Sequence, residues 1–199
     1  MDLFNHDPLF NLLPCDGELN YFGCILSDTE NDYYLKQLLN TVEWKNDEVL
    51  IYGKRIITKR KIAWYGDSDY AYTYSNSTKH ALSWNKYLLN LKSIVENRTN
   101  TEYNSCLLNL YHNGEESMGW HSDDEAELGK NTSIASLSFG AERKFSLKHK
   151  SSKQTVSLTL ETGSLLVMKG STQTHWSHCL PKMKGVKSPR VNLTFRTYK

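Results

Sequence analysis

Arg190-Val191-Asn192-Leu193-Thr194-Phe195-Arg196 alternates between polar and apolar side chains at every step, a pattern typical of a β-strand. Successive side chains of an extended strand point to opposite faces, so the apolar face carries Val191, Leu193 and Phe195. The other face carries Arg190, Asn192, Thr194 and Arg196. Two interpretations are open. An edge strand would show this polar face to water, whereas a strand inside the fold would offer it to a ligand.

Other segments after residue 104 also have apolar residues at every second position. The predicted strands are 105–111, 133–139, 144–149, 155–160, 164–168 and 190–198. Earlier in the chain, apolar residues recur with helical spacing over 31–42 and 83–97, where Ser83 is a candidate N-cap. Helices followed by many short strands predict an α+β fold, a double-sheet jelly roll braced on one side by the N-terminal helices.

Two shorter segments lie between the predicted helices. Residues 48–58 have Gly53 near their centre and β-branched residues on both sides, which predicts a hairpin whose tip carries Ile51 and Tyr52 outward. Residues 64–74 contain tyrosines at alternate positions, which a single strand would place on one face: Tyr70, Tyr72 and Tyr74. Such a face could stack on nucleic-acid bases or fill a core, and both interpretations remain open.

The whole chain is expected to form one domain, since its 199 residues suffice for a single core. We expect residues 1–104 to form a helical and lid region and residues 105–199 to form the jelly-roll core. No apolar run is long enough to span a membrane, and the first residues lack the pattern of a signal peptide. We expect a soluble intracellular monomer without a membrane partner. It would be cytoplasmic in a bacterium, with the nucleus as a further option in a eukaryote.

Cysteine spacing indicates neither a disulfide framework nor a zinc finger. The cysteines at 15, 24, 106 and 179 contain no CxxC pair. We expect four reduced thiols that pack as small hydrophobic side chains. Whether Cys179, which follows a candidate metal ligand, has a redox role is left open.

Charge is distributed unevenly along the chain. Residues 143–199 carry 12 Lys and Arg against one acid, whereas residues 1–142 carry 12 against 21. A second basic cluster contains no acid and consists of Lys54, Arg55, Lys59, Arg60 and Lys61. Two basic clusters on one side of the molecule would suit a phosphate backbone, although charge runs are also common on ordinary solvated surface.

A candidate metal site is indicated by His121-Ser122-Asp123 and by a later histidine, His178. Side chains two apart on an extended segment project the same way, and a strand from the facing sheet could supply the second imidazole. Two imidazoles and a carboxylate are the ligand set of non-haem Fe(II) oxygenases. The arginines at 190 and 196 would suit a dicarboxylate, because guanidinium binds carboxylates bidentately. Asn109 and Tyr111 supply neutral hydrogen-bonding groups.

Six motifs, in this order, resemble the AlkB family of Fe(II)/2-oxoglutarate dioxygenases, and most of all its DNA-repair branch. They are Asn109-x-Tyr111, His121-x-Asp123-Asp124-Glu125, Ile134-Ala135-Ser136-Leu137-Ser138-Phe139-Gly140-Ala141, Gly163-Ser164-Leu165-Leu166-Val167-Met168, His175-Trp176-Ser177-His178 and Arg190-x-Asn192-x-Thr194-x-Arg196. The resemblance covers about residues 50–199. It implies a double-stranded β-helix with an N-terminal nucleotide-recognition lid.

The resemblance also implies roles for individual residues. The iron ligands would be His121, Asp123 and His178. The residues that bind 2-oxoglutarate would be Asn109, Tyr111, Arg190, Asn192, Thr194 and Arg196. Contacts with the nucleotide would come from Tyr52, Lys54, Tyr72, Thr73, Tyr74 and Asp124, with Tyr52 inserted into the duplex. The expected cofactor is Fe(II), and the co-substrates are 2-oxoglutarate and O2.

The function implied by the resemblance is oxidative demethylation of N-alkylated bases, such as 1-methyladenine and 3-methylcytosine. Hydroxylation of the N-methyl group releases formaldehyde and restores the base, so the implied partner is alkylated DNA, duplex or single-stranded, with RNA as a further option. Two alternatives stay open: a 2-oxoglutarate oxygenase acting on a protein or small molecule, and a non-catalytic β-sandwich that binds nucleic acid.

Overall fold

The computed structural model describes residues 7–51, 54–74 and 77–199, with the side chains of residues 49–55 and 72–79 outside that description. The helices are α1 (Asp28–Thr41), α2 (Lys86–Thr99) and α3 (Thr172–His175), with a single 3₁₀ turn at Ala126–Leu128. The strands are β1 (Glu18–Cys24), β2 (Lys45–Ile51), β3 (Lys54–Gly66), β4 (Ala71–Tyr74), β5 (Ser77–His80), β6 (Leu82–Ser83), β7 (Ser105–Tyr111), β8 (Met118–His121), β9 (Ile134–Gly140), β10 (Arg143–His149), β11 (Thr155–Leu160), β12 (Ser164–Lys169), β13 (Trp176–Leu180) and β14 (Arg190–Arg196).

Two facing sheets form the body of the molecule. The major sheet has the order β1-β12-β9-β14-β7-β3-β2, with β6 paired to β3, and the minor sheet has the order β11-β10-β13-β8. Apart from the parallel β3–β6 pair, the described strand pairs are antiparallel. This arrangement confirms the predicted jelly roll within an α+β fold.

Strand β14 lies in the middle of the major sheet, where it pairs with β7 on one side and β9 on the other. Its apolar side chains enter the core that α1 and α2 cover, together with Leu38 and Leu91 of those helices. Its polar side chains face the minor sheet. Both faces are therefore buried, and the edge-strand interpretation of this segment is wrong.

Both predicted helices exist, but their starts differ from the prediction. Helix α1 begins at Asp28 because Ser27 and Glu30 form a capping box. Helix α2 begins at Lys86, where the side chain of Asn85 accepts hydrogen bonds from two backbone N–H groups. Ser83 was the wrong N-cap, since it lies in β6 instead.

The predicted strand at 64–74 is interrupted. Strand β3 ends at Gly66 and β4 begins at Ala71, because the chain turns between them and the Asp67 N–H donates to the Asn104 carbonyl at 2.9 Å. A Cβ on Gly66 would meet the Tyr70 ring at 2.8 Å, so only glycine permits the ring's approach. Tyr70 is thereby removed from the predicted stripe. The Tyr72 and Tyr74 side chains lie outside the described set.

The N-terminal half contributes directly to the jelly roll. Strand β1 pairs with β12 and β3 pairs with β7, so the division expected at residue 104 falls within one continuous sheet. The hairpin predicted at 48–58 is confirmed by the pairing of β2 with β3, although its tip at 52–53 is outside the described residues. No helix in the described part of the chain is long and apolar enough to cross a membrane.

Candidate active site

The register of the minor sheet brings the three predicted metal ligands together. His121 ends β8 and lies directly opposite His178 of β13, with ring centroids 4.3 Å apart. Oδ1 of Asp123 lies 3.6 Å from Nε2 of His121 and 3.8 Å from Nε2 of His178. One ligand atom from each of the three residues lies within 4.8 Å of the others. A single ion can therefore be reached by all three.

The protonation states around this site suit a metal ion. Burial lowers the pKa of His178 to about 4, so its imidazole is neutral at neutral pH. Burial alone would raise the pKa of Asp123, but electrostatic interaction with the Arg196 guanidinium and with the imidazoles of His178 and His121 outweighs burial and lowers that pKa below its ordinary value. His121 Nδ1 lies 2.9 Å from the Gly119 carbonyl, which can only accept, so Nδ1 holds the proton and Nε2 is left with a lone pair.

Asp123 is held through both its carboxylate and its backbone. Arg196 Nη2 donates to its Oδ2 at 2.6 Å, which leaves Oδ1 directed toward the imidazoles. The backbone N–H of Asp123 donates to Oε1 of the buried Gln173 at 2.9 Å. Sequence reasoning missed Gln173, because nothing in the spacing of residues 123 and 173 indicates that they meet.

Beside the triad, the polar face of β14 forms a linked row. Arg190 Nη2 donates to Asn192 Oδ1 at 2.8 Å and to Ser138 Oγ at 2.9 Å. Asn192 Nδ2 in turn donates to Thr194 Oγ1 at 2.9 Å. Asn192 is therefore the centre of the row and fixes the orientation of both neighbours. The cavity bounded by this row also contains the three triad residues.

The far end of that cavity is cationic. Arg190 is buried, and burial lowers its pKa to about 10, so it keeps its charge at neutral pH. Its Nε has no hydrogen-bond acceptor among the described residues. The guanidinium lies 5.7 Å from the ring centroid of Tyr111, directly across from it in register. A buried cation with an unused N–H beside a phenol fits a carboxylate ligand.

A second cavity adjoins the first and shares part of its wall. The shared residues are Leu107, Asn109, Met118, Glu125 and Arg196. Its remaining wall includes Asp47, Arg60, Trp64 and Tyr198. The Trp64 ring lies 6.4 Å from Tyr70 at an interplanar angle of 30° and 5.3 Å from Tyr198. One side of this second cavity is therefore aromatic.

Arg60 corrects the interpretation of the basic cluster at 54–61. Its side chain is 8% exposed and forms an ion pair with the buried Asp47. Its Nη1 donates to Asn109 Oδ1 at 2.6 Å. Arg60 therefore supports a predicted 2-oxoglutarate residue from inside the fold. The signal was available in the alternation of Arg60, Ile62 and Trp64 along one strand face.

The structure separates two neighbouring acids that follow the triad carboxylate. Asp124, the predicted base contact, is exposed, whereas Glu125 lies in the wall of both cavities. Burial raises the pKa of Glu125, and its Oε2 has no hydrogen-bond partner among the described residues. The sequence prediction chose Asp124 because it is adjacent to Asp123. In an extended segment, however, residues two apart share a face, which would have indicated Glu125.

The side chains of the other predicted lid residues lie outside the described part of the structure. Tyr52 lies outside the described residues. Lys54 lies in β3, and Tyr72, Thr73 and Tyr74 lie in β4, but none of these four side chains is described. Their roles stay predictions.

The jelly roll, the His-Asp-His triad and the cationic pocket beside it together define the class of non-haem metal oxygenases. Comparison with known proteins gives the family. The profile of the 2OG-Fe(II) oxygenase superfamily matches residues 18–196, so the chain belongs to that superfamily and, by its relatives, to its AlkB family.

Two human relatives agree with this family assignment, and a solved structure agrees with the fold. Human alpha-ketoglutarate-dependent dioxygenase alkB homolog 3 is 41% identical over 84% of this chain and 62% of its own length. Human DNA oxidative demethylase ALKBH2 is 39% identical over 88% of this chain and 71% of its own length. The structure of OsALKBH1 has a TM-score of 0.65 at 15% identity, covering 94% of this chain and 98% of that chain, which supports the fold. The chain spans about six tenths of the length of the homolog 3 proteins it matches.

Proposed function

We propose that the protein is an Fe(II)/2-oxoglutarate-dependent dioxygenase that demethylates N-alkylated bases in DNA, with RNA as a further substrate. The main support is that the cavity containing the His121–Asp123–His178 triad shares a wall with the second cavity, which Trp64 and Tyr198 line. We call these the triad cavity and the aromatic cavity. A base held in the aromatic cavity would direct its pairing edge at the metal position. Similarity to the human alpha-ketoglutarate-dependent dioxygenase alkB homolog 3 and to the human DNA oxidative demethylase ALKBH2 supports the same reaction class.

His121, Asp123 and His178 would hold the iron, and their donor set is the one this metal prefers in oxygenases. When bound, Fe(II), 2-oxoglutarate and O2 supply the oxidising chemistry, which the protein cannot supply from its own side chains. Arg190 would bind the distal carboxylate of 2-oxoglutarate, with its unpartnered Nε–H as one donor. Hydroxylation of the methyl group yields an unstable product that expels formaldehyde and restores the base.

The second cavity would select the base. Trp64 supplies an aromatic face, on which any base can stack. Glu125 lies in the wall of the same cavity, and its Oε2 has no hydrogen-bond partner among the described residues. Because 1-methyladenine and 3-methylcytosine are cationic and carry an exocyclic amino group, a carboxyl group there favours them over unmodified bases. Such a lesion also cannot pair normally, which lowers the cost of unstacking it.

Outward-facing lysines would bind the phosphates. Lys144 is exposed and Lys148 half-buried on the outer face of β10, where Lys148 Nζ lies 4.8 Å from the ring centroid of the exposed Trp120. The basic surface is smaller than the sequence predicts, because Arg143 and Arg190 are buried. We further propose that the protein acts as a monomer inside the cell. The free thiols of Cys15, Cys106 and Cys179 and a need for ferrous iron both agree with a reducing compartment.

The test is repair of defined oligonucleotides. DNA and RNA strands containing 1-methyladenine or 3-methylcytosine, single or duplex, are incubated with Fe(II) and 2-oxoglutarate and analysed by mass spectrometry. Loss of one CH2 from the modified base is expected. Asp123→Ala should abolish it, whereas Glu127→Gln, a change at an exposed acid nearby, should not. Succinate production with unaltered methylated oligonucleotides of every kind would reject the nucleic-acid substrate and leave the oxygenase class standing.

A further inference from the structure

We infer that the protein has a second metal site, formed by Cys15, Asp16 and His149, that takes a zinc-like divalent cation. One ligand atom from each residue lies within 4.8 Å of the others. The site shares no residue with the triad. It joins the segment before β1 to the end of β10, where no family motif of the sequence falls.

His149 is the best-defined ligand. It is 4% exposed, and its buried Nε2 has no hydrogen-bond partner among the described residues. Nε2 nevertheless lies 3.2 Å from Asp16 Oδ2, close enough for contact but outside hydrogen-bond geometry. Two ligands of one tetrahedral zinc ion, each bonded at about 2.0–2.1 Å, stand about 3.3 Å apart without bonding to each other. The observed pair therefore has the spacing of two ligands of one ion.

The other ring nitrogen has a partner for the tautomer that metal binding requires. Nδ1 lies 2.8 Å from Ser152 Oγ and 3.2 Å from Ser151 Oγ. Without metal, the Ser152 backbone N–H donates to Nδ1 at 3.1 Å, which places the imidazole proton on Nε2. On metal binding that proton leaves Nε2 and Nδ1 takes one up, so the Ser152 backbone N–H gives up its hydrogen bond to the ring and Ser152 Oγ accepts from Nδ1–H. The Cys15 thiol releases its proton to water.

The surroundings hold the ligands in place. The His149 ring packs against the buried Trp176 ring, with centroids 4.9 Å apart. Trp176 Nε1 donates to the Cys15 carbonyl at 3.0 Å. The backbone at Cys15 and the His149 ring are thus fixed to the same tryptophan. Only the Cys15 and Asp16 side chains are exposed, and they need small movements to complete the site.

The donor types select the ion. A thiolate, an imidazole and a carboxylate suit zinc, and three protein ligands leave a fourth position for water. The triad has no sulfur and is of the iron type. The spacing of the cysteines along the chain gave no zinc signal, because the site joins residues 15 and 149, which are distant in sequence.

Occupancy would fasten the N-terminal segment to the jelly roll. The Trp176 carbonyl accepts a hydrogen bond from Ser122 Oγ at 3.0 Å, beside the triad residue Asp123. A cation at Cys15 would therefore stabilise the side of the fold that carries the triad, without touching the triad itself.

Cobalt titration tests the site, because a thiolate bound to Co²⁺ gives an intense near-ultraviolet charge-transfer band and a His-Asp-His site gives none. The metal-free full chain is titrated with Co²⁺ and then with Zn²⁺ as a competitor. We expect two metal ions per chain, one of which produces the thiolate band, and displacement of that band by Zn²⁺. Asp123→Ala should remove the other ion and leave the band.

The variants separate this site from adventitious thiol binding. Cys15→Ser should abolish the band, while Cys24→Ser, a change at the other exposed cysteine, should leave it intact. Asp16→Asn, at an exposed position that does not endanger folding, and His149→Gln should weaken Zn²⁺ binding at least about tenfold. Absence of a thiolate band in the wild type, or a band that survives Cys15→Ser, would overturn the proposal. Zn²⁺ affinity unchanged in both Asp16→Asn and His149→Gln would also overturn it, because the metal would then bind to the Cys15 thiol alone.

Discussion

Asp47→Asn is predicted to destabilise the protein strongly, although it removes one charge far from the triad in sequence. Arg60 and Asp47 are both nearly buried, with side chains 8% and 9% exposed. The change keeps the shape of the side chain but leaves the guanidinium with neutral partners, the Asn109 amide and the Met118 sulfur. Breaking a buried ion pair from one side costs about 3–5 kcal/mol. Because Asn109 still accepts from Arg60, we expect the lower end, about 3 kcal/mol.

The assay is urea denaturation of the metal-free protein, supported by thermal unfolding. A loss of about 3 kcal/mol corresponds to a fall in Tm of about 6–12 °C for a chain of this size. The matched control is Asp69→Asn, which breaks an exposed pair with His80 and should cost less than about 1 kcal/mol. Replacing both partners by Asp47→Ala and Arg60→Met should recover part of the loss. Equal stability of Asp47→Asn and Asp69→Asn would refute the buried-pair account.

Two further predictions concern the active site, and a third concerns the predicted nucleotide-recognition lid. The pKa of His178 is about 4 in the folded protein and higher in the unfolded chain, so the unfolded chain takes up the proton first as the pH falls. The metal-free protein should therefore lose about 3 kcal/mol of stability between pH 6.5 and 4. Urea titrations over this pH range should show a smaller loss in His178→Gln. Gln173→Ala removes the acceptor of the Asp123 N–H and should weaken iron binding about 10–100-fold in equilibrium dialysis, whereas Gln173→Glu, which keeps an acceptor, should lose less. Tyr52→Ala should slow repair of duplex DNA and spare single strands, and equal losses on both in a rate comparison would reject the wedge role predicted from sequence.

Much of the candidate site follows from one-dimensional periodicity. The alternation of β14 predicts which four side chains share a face, and pairing then sets Asn192 opposite Asn109 and Arg190 opposite Tyr111. The sequence alone left open whether that face was solvated. The minor sheet covers the polar face of β14, and helices α1 and α2 cover the apolar face. Those elements are distant in sequence from β14, so its own residues do not reveal whether the polar face meets water.

The residues that were missed depend on long-range contacts or on short segments. Strand β8 was missed because its four residues are too few to show a period, although the sequence did indicate His121 at its end. Arg60 resembles its solvated basic neighbours until the strand pairing turns it inward toward Asp47. The exposed thiols of Cys15 and Cys24 also depart from the predicted burial of all four cysteines, because cysteine spacing carries no information about depth.

The ratio of succinate formed to base restored is the decisive measurement, because it depends on the triad, the Arg190 pocket and the aromatic cavity together. With a 3-methylcytosine oligonucleotide in excess, we predict one succinate and one formaldehyde for each base restored, and slower succinate formation when the methylated strand is replaced by its unmodified form. Succinate released at the same rate with either strand, and no cytosine restored, would contradict it.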